Sequence, residues 1–431
     1  MSLGIGSRFL DLKVNETLWI AGPAKIVVDS GIVEVFGARI VKGESIIVKR
    51  CKSIYLKALS DCRIGVSSGA YVMAVEDDGI PDDWRKLVSE ISNVKGKVMV
   101  LGGLDSGKNT LVTFLSNNLF NNGFKVGVLD ADVGQNELGP PTTMALGLVK
   151  RPVSSLDQLD VVGYVFVGST SPANVRDRVF NGLRKLMDLS SKFELDYLII
   201  NTTGWISNGG VDFKIEKIKL VKPEVLIGIE RSGELEPIFS SIKMDCKVFR
   251  VPSSRRVRAR DRFDRKIIRQ MNYVKWFEDA SNKKFSIDDF IGFEPNIFQG
   301  TPMGDGEIDL IGKILGVKVA FSIRRGDDII VFPYSDLDFN EDVKERVVGE
   351  FNARRCLIIP FTHLIPLLVA FEDSNGVFMG LGILTNIDFK NRVLQFYTKV
   401  NVGGGVKVVL GLIRINPVNF DEIGYSKIPL N

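Results

Sequence analysis

The pattern of apolar and polar positions divides the chain into three stretches. Residues 1–83 hold short apolar runs between closely spaced glycines, for example at 24–28 and 32–36, which is typical of a small β-sandwich. From residue 84 to about 277, apolar runs rich in β-branched residues alternate with helical periods such as 176–189. This alternation predicts a parallel sheet covered by helices on both faces.

The same pattern predicts individual strands and three domains. In the central stretch the predicted strands are 98–101, 126–129, 164–167, 197–200 and 225–229. Strand character returns from about residue 294, at 308–317, 319–323, 329–332, 377–384, 393–396 and 406–413. We therefore predict an N-terminal β-sandwich domain at 1–83, a central α/β domain at 84–293 and a C-terminal β-rich domain at 294–431.

A glycine-rich loop lies between the strand predicted at 98–101 and an amphipathic helix. It reads Gly102-Gly103-Leu104-Asp105-Ser106-Gly107-Lys108-Asn109-Thr110. The spacing G-x-x-x-x-G-K is that of a phosphate-binding loop, where backbone N–H groups and a helix N-terminus converge on an anion. Lys108 is then expected to reach the β- and γ-phosphates, so the loop predicts binding of a nucleoside triphosphate.

One position of this loop departs from the motif. After Gly-Lys the motif has Ser or Thr, whose hydroxyl ligates Mg²⁺, whereas this chain has Asn109 followed by Thr110. An asparagine oxygen also ligates hard cations, although its side chain is longer and is aimed differently. The departure leaves nucleotide binding expected and weakens the case for efficient catalysis.

Polar residues follow several predicted strands at their carboxyl ends, where ligands bind in open α/β sheets. Asp130 and Asp132 lie one residue apart and point the same way, so they are placed to hold Mg²⁺ or to take a proton from an attacking hydroxyl. The small hydroxyl residues at 168–172 and 201–204 suit phosphate or sugar contacts. Trp205 is placed to stack on a base. Solvated turn acids and a core tryptophan are the less favoured interpretations.

The segment 251–275 holds nine basic residues against two acids, Asp261 and Asp264. Like charges at neighbouring helical positions repel each other, so an anion is the expected partner. That anion is either the phosphates of a nucleic acid or the phosphoryl group in transfer, which arginines stabilise. Arg260, Arg265 and Arg269 are the candidates for such a lid.

Composition excludes several other classes of protein. The 431 residues are 45% hydrophobic with a net charge of +4, so a nucleic-acid surface must come from local clusters of charge. The four cysteines lack C-x-x-C spacing, which predicts neither a disulfide framework nor a zinc site. His363 is the single histidine and lies among apolar residues, so histidine acid–base chemistry is not expected.

The longest apolar stretch, 356–371, is interrupted by prolines and is too short for a bilayer. We expect a cytoplasmic protein without a membrane segment.

Together these motifs resemble the polynucleotide 5′-hydroxyl kinase family. Its members include archaeal RNA and DNA kinases, the kinase subunit of the eukaryotic pre-mRNA cleavage factor and nucleolar rRNA-processing kinases. The resemblance covers nearly the full length, and the matching segments are 31–37, 102–110, Asp132-Val133-Gly134-Gln135, 168–172, Thr202-Thr203-Gly204-Trp205, the arginine-rich lid at about 252–277, and 395–398. It implies an α/β fold in which a central P-loop NTPase domain with a parallel sheet is flanked by N-terminal and C-terminal β-rich domains.

The resemblance also implies a role for each matching residue. Residues 102–110, and Lys108 above all, are implied to hold ATP, while Asn109 and Asp132 are implied to hold Mg²⁺. Asp132 is implied to deprotonate the 5′-hydroxyl, and the terminal nucleotide is implied to contact Gln135, Thr170, Thr202, Gly204 and Trp205. Arg260 and Arg265 are implied to stabilise the transferred phosphoryl group. Because Arg255 also precedes Arg260 by five residues, a second register of the lid stays open.

The expected function is ATP-dependent phosphorylation of the 5′-hydroxyl of RNA, with DNA left open as a second acceptor and RNA-processing proteins as partners. The alternative is a scaffold of an RNA-processing assembly that binds ATP without turning it over. Asn109 favours the scaffold, whereas the intact Lys108, Asp132 and arginines favour the kinase. A GTPase is a weaker third option, because residues 230–233 read Glu-Arg-Ser-Gly where guanine recognition uses Asn-Lys-x-Asp.

Overall fold

The computed structural model describes residues 7–242, 245–254, 256 and 259–429. The chain divides into two compact units. One consists of Met1–Val165 and Arg176–Arg269, and the other of Phe166–Val175 and Gln270–Asn431. The three domains predicted above, with boundaries at 83/84 and 293/294, stay a prediction.

The first unit begins with the predicted β-sandwich. Its strands are β1 (Arg8–Leu12), β2 (Thr17–Ala21), β3 (Ala24–Ser30), β4 (Ile32–Val35), β5 (Ala38–Val41), β6 (Ser45–Val48), β7 (Ser53–Ala58), β8 (Cys62–Val66) and β9 (Tyr71–Val75). They form two sheets with the orders β1–β8–β3–β6 and β5–β4–β7–β2–β9, and inward residues of both share one apolar core. At the turn before β4, Gly31 has a φ of +80°, and a Cβ there would lie 2.4 Å from the carbonyl oxygen of Asp61. This turn therefore requires glycine.

The rest of the first unit is built on a larger sheet with helices. The elements from this part of the chain are α1 (Asp82–Ile91), β10 (Gly96–Gly102), α2 (Lys108–Asn121), β11 (Val126–Ala131), β12 (Thr143–Leu148), β13 (Asp160–Phe166), α3 (Arg176–Ser190), β14 (Tyr197–Thr202), α4 (Gly209–Val221), β15 (Val225–Glu230), α5 (Glu236–Phe239), β16 (Lys247–Pro252) and α6 (Arg262–Trp276). The strand order is β13–β12–β11–β14–β10–β15–β16. The carboxyl ends of β10, β11 and β14 therefore lie side by side.

The prediction of a parallel sheet is confirmed for most of these strands and wrong for one. Strands β11, β14, β10, β15 and β16 run parallel to their neighbours. Strand β12, which the sequence analysis missed along with β16, runs antiparallel to β11. Parallel neighbours need a crossover connection, usually a helix. The chain between β11 and β12 forms no helix, so it returns in the opposite direction.

The core of this sheet contains a tryptophan that joins three elements. Trp84 of α1 is fully buried, its ring centroid lies 6.3 Å from that of Phe114 on α2, and its Nε1 donates a 2.9 Å hydrogen bond to the carbonyl oxygen of Pro252 at the end of β16. The tryptophan thus connects α1 to both α2 and β16.

We expect Trp84→Ala to lower the free energy of unfolding by about 3–5 kcal/mol, because the substitution leaves a cavity and an unpaired carbonyl group. Urea unfolding followed by circular dichroism measures the change. Trp84→Phe, which keeps most of the apolar volume, should cost clearly less. Equal losses for both variants would contradict the packing argument.

The second unit contains two further sheets. Its elements are β17 (Ser281–Ser286), β18 (Phe290–Glu294), β19 (Thr301–Pro302), α7 (Asp305–Leu315), β20 (Val319–Arg325), β21 (Asp328–Pro333), α8 (Glu341–Glu350), β22 (Arg355–Ile358), α9 (Phe361–Leu364), β23 (Leu367–Glu372), β24 (Phe378–Asp388), β25 (Val393–Thr398), β26 (Val406–Ile415) and β27 (Glu422–Tyr425). One sheet has the order β17–β25–β24–β23–β26–β18, and β27 pairs with β26. The other has the order β19–β20–β21–β22, with α7 and α8 packed against it.

One predicted strand of this unit is a helix. The sequence analysis predicted a strand at 308–317, where the structure has α7. The side chain of Glu307 accepts a hydrogen bond from the N–H of Gly304, which begins the helix. Ile311 and Leu315 then face the core at helical spacing. Within the described residues, every helix lacks the length or the apolar character needed to cross a membrane.

Candidate active site

The predicted phosphate loop lies between β10 and α2 in the first unit. Asp105 and Gly107 have positive φ angles of 50° and 95°, which turn the backbone sharply into the helix. A Cβ on Gly102 would lie 2.4 Å from the Oγ of Ser106 and 3.0 Å from the carbonyl oxygen of Ile229, so strand and loop approach closely there, and the positive φ of Gly107 requires glycine. Residues 104–110 line a cleft. The N-terminus of α2 is therefore available to an anion there.

Lys108 is almost completely buried at the base of this loop. Its Nζ donates hydrogen bonds of 2.6 Å to the carbonyl oxygen of Gly103 and 3.0 Å to that of Gly102. Burial lowers the pKa of the ammonium group to about 8, while the carboxylates of Asp132 and Asp105 act in the opposite direction. Among the described residues, only neutral carbonyl groups bind the amine directly, so an anionic ligand would add charge compensation.

The two acids of the Asp-x-Asp pair have different environments. Asp130 is fully buried and accepts hydrogen bonds from the N–H groups of Asp132, at 3.1 Å, and Glu137, at 2.8 Å. Burial, assisted by the charge of Asp132, raises the pKa of Asp130 to about 7. Asp132 lines the cleft, and its Oδ1 accepts hydrogen bonds of 3.2 Å from the N–H groups of Gly134 and Gln135. The acid that faces the cleft is therefore Asp132.

Asn109, the residue that departs from the motif, is held by two side chains, Glu137 and Asn201, to which the sequence assigned no role. Its Nδ2 donates to Glu137 Oε1 at 2.6 Å, and its Oδ1 accepts from Asn201 Nδ2 at 3.1 Å. Glu137 also pairs with Lys52 Nζ at 2.6 Å. Burial raises the pKa of Glu137, but Lys52 and Asn109 outweigh it and lower the pKa overall. The one signal in the sequence was that Glu137 closely follows the Asp-Val-Gly-Gln motif.

The arginine-rich segment reaches the phosphate loop through Asp105. Arg260 donates from its backbone N–H at 3.0 Å and from its Nε at 2.8 Å, and Arg265 Nη2 lies 2.7 Å from Asp105 Oδ2. Burial raises the pKa of Asp105, but the two guanidinium groups outweigh it and hold the pKa below its usual value. Both arginines line the cleft. Arg255 and Arg258 lie outside the described residues, so the alternative register with Arg255 stays open.

The Thr-x-Gly-Trp segment follows β14 beside the phosphate loop. Thr202 is fully buried and its hydroxyl donates to the carbonyl oxygen of Val100 at 2.8 Å, so this side chain binds β10. A Cβ on Gly204 would lie 2.8 Å from the N of Leu104, which explains the glycine. Trp205 is partly exposed, with its ring centroid 5.6 Å from that of Phe213.

The two other predicted substrate residues lie in different units. Gln135 lines the cleft of the first unit, where its Nε2 donates to the carbonyl oxygen of Gly134 at 2.7 Å. Thr170 belongs to the second unit, where its hydroxyl lies 3.0 Å from that of Tyr425. The sequence analysis did not single out Tyr425.

Two buried lysines of α4 also escaped the sequence analysis. Lys214 Nζ donates to the carbonyl oxygen of Thr203 at 2.6 Å and to its Oγ1 at 3.1 Å, which ties the helix to the segment before Trp205. Lys217 Nζ lies 3.5 Å from the carbonyl oxygen of Ala131. Burial lowers the pKa of Lys217 to about 8 and that of Lys214 well below its usual value. Lysines three residues apart among apolar residues were the available signal.

The N-terminal sandwich supplies one wall of the cleft. The lining residues from this part of the chain are Phe36, Ile46, Ile47, Val48, Lys49, Cys51, Lys52, Ser53, Ile54 and Tyr55. Most of them belong to β6, β7 and the turn between these strands. An apolar wall opposite a phosphate loop suits the flat face of a base. Of these residues only Phe36 lies in a segment that the sequence had marked, the one at 31–37.

Unpartnered polar atoms indicate that a polar ligand fits this cleft. Buried polar side chains in proteins almost always have hydrogen-bond partners. Within the part of the chain that the structure describes, Ser106 Oγ and Gln135 Oε1 are buried atoms of cleft-lining residues that lack a partner, and so does Asn201 Oδ1, beside Asn109. Together with the glycine that the loop requires, these atoms fit phosphate oxygens and a hydrated cation.

Comparisons with known proteins show which proteins this chain is similar to. The family described as mRNA cleavage and polyadenylation factor CLP1 P-loop matches residues 102–279. A polyribonucleotide 5′-hydroxyl-kinase of Pyrococcus furiosus is 32% identical over 348 residues, which cover 80% of this chain and 95% of that protein. The polynucleotide 5′-hydroxyl-kinase GRC3 of Kluyveromyces lactis is 22% identical over 361 residues, or 75% of this chain and 54% of that protein.

A solved structure supports the fold over nearly the whole length. The structure of the wild-type Clp1p–Pcf11p complex superposes with a TM-score of 0.64 at 13% identity, and covers 96% of this chain and 99% of that chain. The Pyrococcus protein exceeds 30% identity and is almost entirely covered by this chain. The chain therefore belongs to the polyribonucleotide 5′-hydroxyl-kinase family.

Proposed function

We propose that this protein transfers the γ-phosphate of ATP to the 5′-hydroxyl of RNA. The observation that carries the proposal is that the phosphate loop with Lys108, the carboxylate of Asp132, and Arg260 and Arg265 all line one cleft. These are the groups that phosphoryl transfer requires: donors for the phosphates, a base for the nucleophile and cations for the spreading charge. A scaffold that only binds ATP has no need of the base, and the relatives reported above are named as kinases.

The proposed reaction is a direct displacement at the γ-phosphorus. The 5′-oxygen forms a bond to phosphorus, the bond to the β–γ bridging oxygen breaks, and ADP leaves. Asp132 accepts the proton of the 5′-hydroxyl, and the two N–H groups on its Oδ1 orient the carboxylate. Lys108 and the loop amides bind the phosphates, while the arginines stabilise the charge on the transferred group.

Asn109 and Asp132 are proposed to hold Mg²⁺. Both line the cleft and both present an oxygen of the kind that hard cations prefer. When bound, Mg²⁺ neutralises charge on the β- and γ-phosphates. Asn109 departs from the family's usual hydroxyl, and its side chain is nevertheless held in a defined orientation by Glu137 and Asn201.

The terminal nucleotide is proposed to contact Gln135 and the segment at Gly204 and Trp205, while the contact expected of Thr170, in the second unit, stays a prediction. Trp205 is partly exposed, so its ring has a face on which a base can stack. The side chain of Thr202 is left out of this set because it binds β10. A cytoplasmic location and RNA-processing proteins as partners complete the proposal, and DNA stays open as a second acceptor.

Transfer of labelled γ-phosphate from ATP to a 5′-hydroxyl oligoribonucleotide tests the proposal. The same oligonucleotide with a 5′-phosphate is the matched control, because it differs only in the acceptor group. We expect label on the 5′-hydroxyl strand alone. Tight ATP binding without transfer to RNA or DNA would reject the kinase and favour the scaffold.

Nucleotide affinity is expected to fall above pH 8. In the free protein the pKa of Lys108 is about 8, because burial disfavours its charged form. Phosphates bind the protonated amine, so above pH 8 binding must take up a proton and the affinity should fall by up to tenfold per pH unit. Titration calorimetry in two buffers of different ionisation enthalpy measures this uptake. A Kd for ATP that stays constant from pH 7 to 9.5 would contradict the argument.

A further inference from the structure

The position that departs from the phosphate-loop motif lies in a closed ring of hydrogen bonds. Asn109 donates to Glu137 and accepts from Asn201, as described above. Asn201 Nδ2 also donates to Asp130 Oδ1 at 3.0 Å, and the N–H of Glu137 donates to Asp130 Oδ2 at 2.8 Å. The ring therefore joins the start of α2 to the carboxyl ends of β11 and β14.

This ring determines the orientation of the Asn109 amide. An amide has a donor end and an acceptor end of similar size, so its partners decide which way it points. A carboxylate only accepts, so Glu137 holds the NH₂ end. Asn201, whose own NH₂ group faces Asp130, supplies a donor to the oxygen end. An amide oxygen has two lone pairs, and the bond from Asn201 uses one of them.

Glu137 is itself anchored from outside the ring. Lys52, in the turn that precedes β7 of the N-terminal sandwich, pairs with its Oε1 at 2.6 Å, and Ser155 Oγ lies 3.4 Å from its Oε2. Asn109 and Glu137 both line the cleft. The carboxylate that fixes the amide is therefore held in place by two further groups. Among the described residues, Asn201 is the only side-chain donor to Asn109 Oδ1, so the second lone pair of this oxygen is left for a ligand.

We propose that Glu137 and Asn201 are positioning residues that present the Asn109 amide oxygen to the divalent cation of the bound nucleotide. The inference rests on the proposed function, because it concerns the same nucleotide site. Without the ring, the amide could turn its NH₂ group toward the cation, which that group cannot ligate. With the ring, Asn109 replaces the serine or threonine hydroxyl of the motif.

The contribution of Mg²⁺ to ADP binding measures this positioning without relying on turnover. For the full chain, the Kd of ADP in EDTA divided by its Kd in Mg²⁺ gives that contribution. Removing a group that orients a metal ligand typically lowers metal affinity 10- to 100-fold. Glu137→Ala and Asn201→Ala should therefore each reduce the ratio at least tenfold. The Kd of ADP in EDTA should stay unchanged in both variants. Glu137→Gln should retain most of the ratio, because its amide oxygen accepts the same bonds.

A second background separates positioning from damage to the fold. In Asn109→Ser the hydroxyl needs no partner to orient it, so adding Glu137→Ala should change the ratio less than twofold. Asn117→Ala is the matched control: Asn117 is a second asparagine of α2, fully buried, and it donates to the carbonyl oxygens of Phe36 and Val153 away from the ring. This variant should keep the wild-type ratio.

The outcomes distinguish the inference from the function on which it rests. Equal losses from Glu137→Ala in the wild-type and Asn109→Ser backgrounds, or no effect of Mg²⁺ on wild-type ADP binding, would overturn the positioning role. If Mg²⁺ tightened ADP binding, Glu137→Ala reduced the Kd ratio and the wild type transferred no phosphate, the kinase would be rejected and the positioning of the cation ligand supported. If phosphate were transferred and Glu137→Ala left the Kd ratio unchanged, the positioning role would be rejected and the kinase would stand.

Discussion

Arg265→Ala is expected to lower kcat by about 10³-fold or more, with little change in the Kd of ATP. An arginine that stabilises the charge of a transferring phosphoryl group contributes about 10³–10⁵ in rate. Arg265 and Arg260 both lie against Asp105 of the phosphate loop, at 2.7 Å each, so their guanidinium groups are already beside the phosphates' binding site. Arg260→Ala is expected to have an effect of similar size.

Two substitutions on the same helix make the test specific. Arg262 is exposed in the first turn of α6 and is not among the residues that line the cleft, so Arg262→Ala removes the same charge outside the site. It should leave kcat within threefold of the wild type. Arg265→Lys should recover only part of the activity, because an ammonium group lacks the planar fork of a guanidinium. If Arg262→Ala and Arg265→Ala lowered kcat equally, the lid assignment would fail.

Asp132→Asn is expected to lower kcat by about 10²–10⁴-fold, the usual contribution of a positioned general base. The amide oxygen of asparagine can still accept the N–H groups of Gly134 and Gln135, so the loop should keep its structure. The substitution removes the charge and the ability to accept the proton of the 5′-hydroxyl. Single-turnover transfer to a 5′-hydroxyl oligoribonucleotide measures the loss.

Asp212→Asn is the matched control for this variant. Asp212 lies exposed in the first turn of α4, so its substitution removes one carboxylate from the same unit without touching the cleft. Its kcat should equal that of the wild type, and both variants should unfold at the wild-type temperature. A fully active Asp132→Asn protein would exclude this residue as the base and leave the attacking hydroxyl without one.

Much of the candidate site could be predicted because its signals are local. The phosphate loop needs a strand, glycines and a helix within a few residues of one another, and 98–119 carry all three. The spacing of Asp130 and Asp132 likewise placed both acids at the end of β11. Alternation of strands and helices predicted the parallel sheet. This prediction was wrong at β12, which runs antiparallel to β11 because no crossover helix connects the two strands.

The features that could not be predicted depend on residues far apart in the sequence. The partners Lys52, Glu137 and Asn201 lie in three different parts of the chain and meet only when the sandwich and the sheet have formed. The same is true of Asp105 and its arginines, which lie 155 and 160 residues away. No local pattern distinguishes such pairs from solvated charges, since the choice depends on packing.

By itself the sequence determined the segments that make up the candidate site: a phosphate loop at 102–110, acids at the end of the next strand, a Thr-x-Gly-Trp segment and an arginine-rich segment. These features follow from backbone conformation and helical or strand period, which residues a few positions apart control. Only the tertiary structure decided that Asp132 faces the cleft while Asp130 is buried, that the Thr202 hydroxyl binds β10, and how the Asn109 amide is oriented. Burial and hydrogen-bond partners decide these points, and both arise when distant segments pack together.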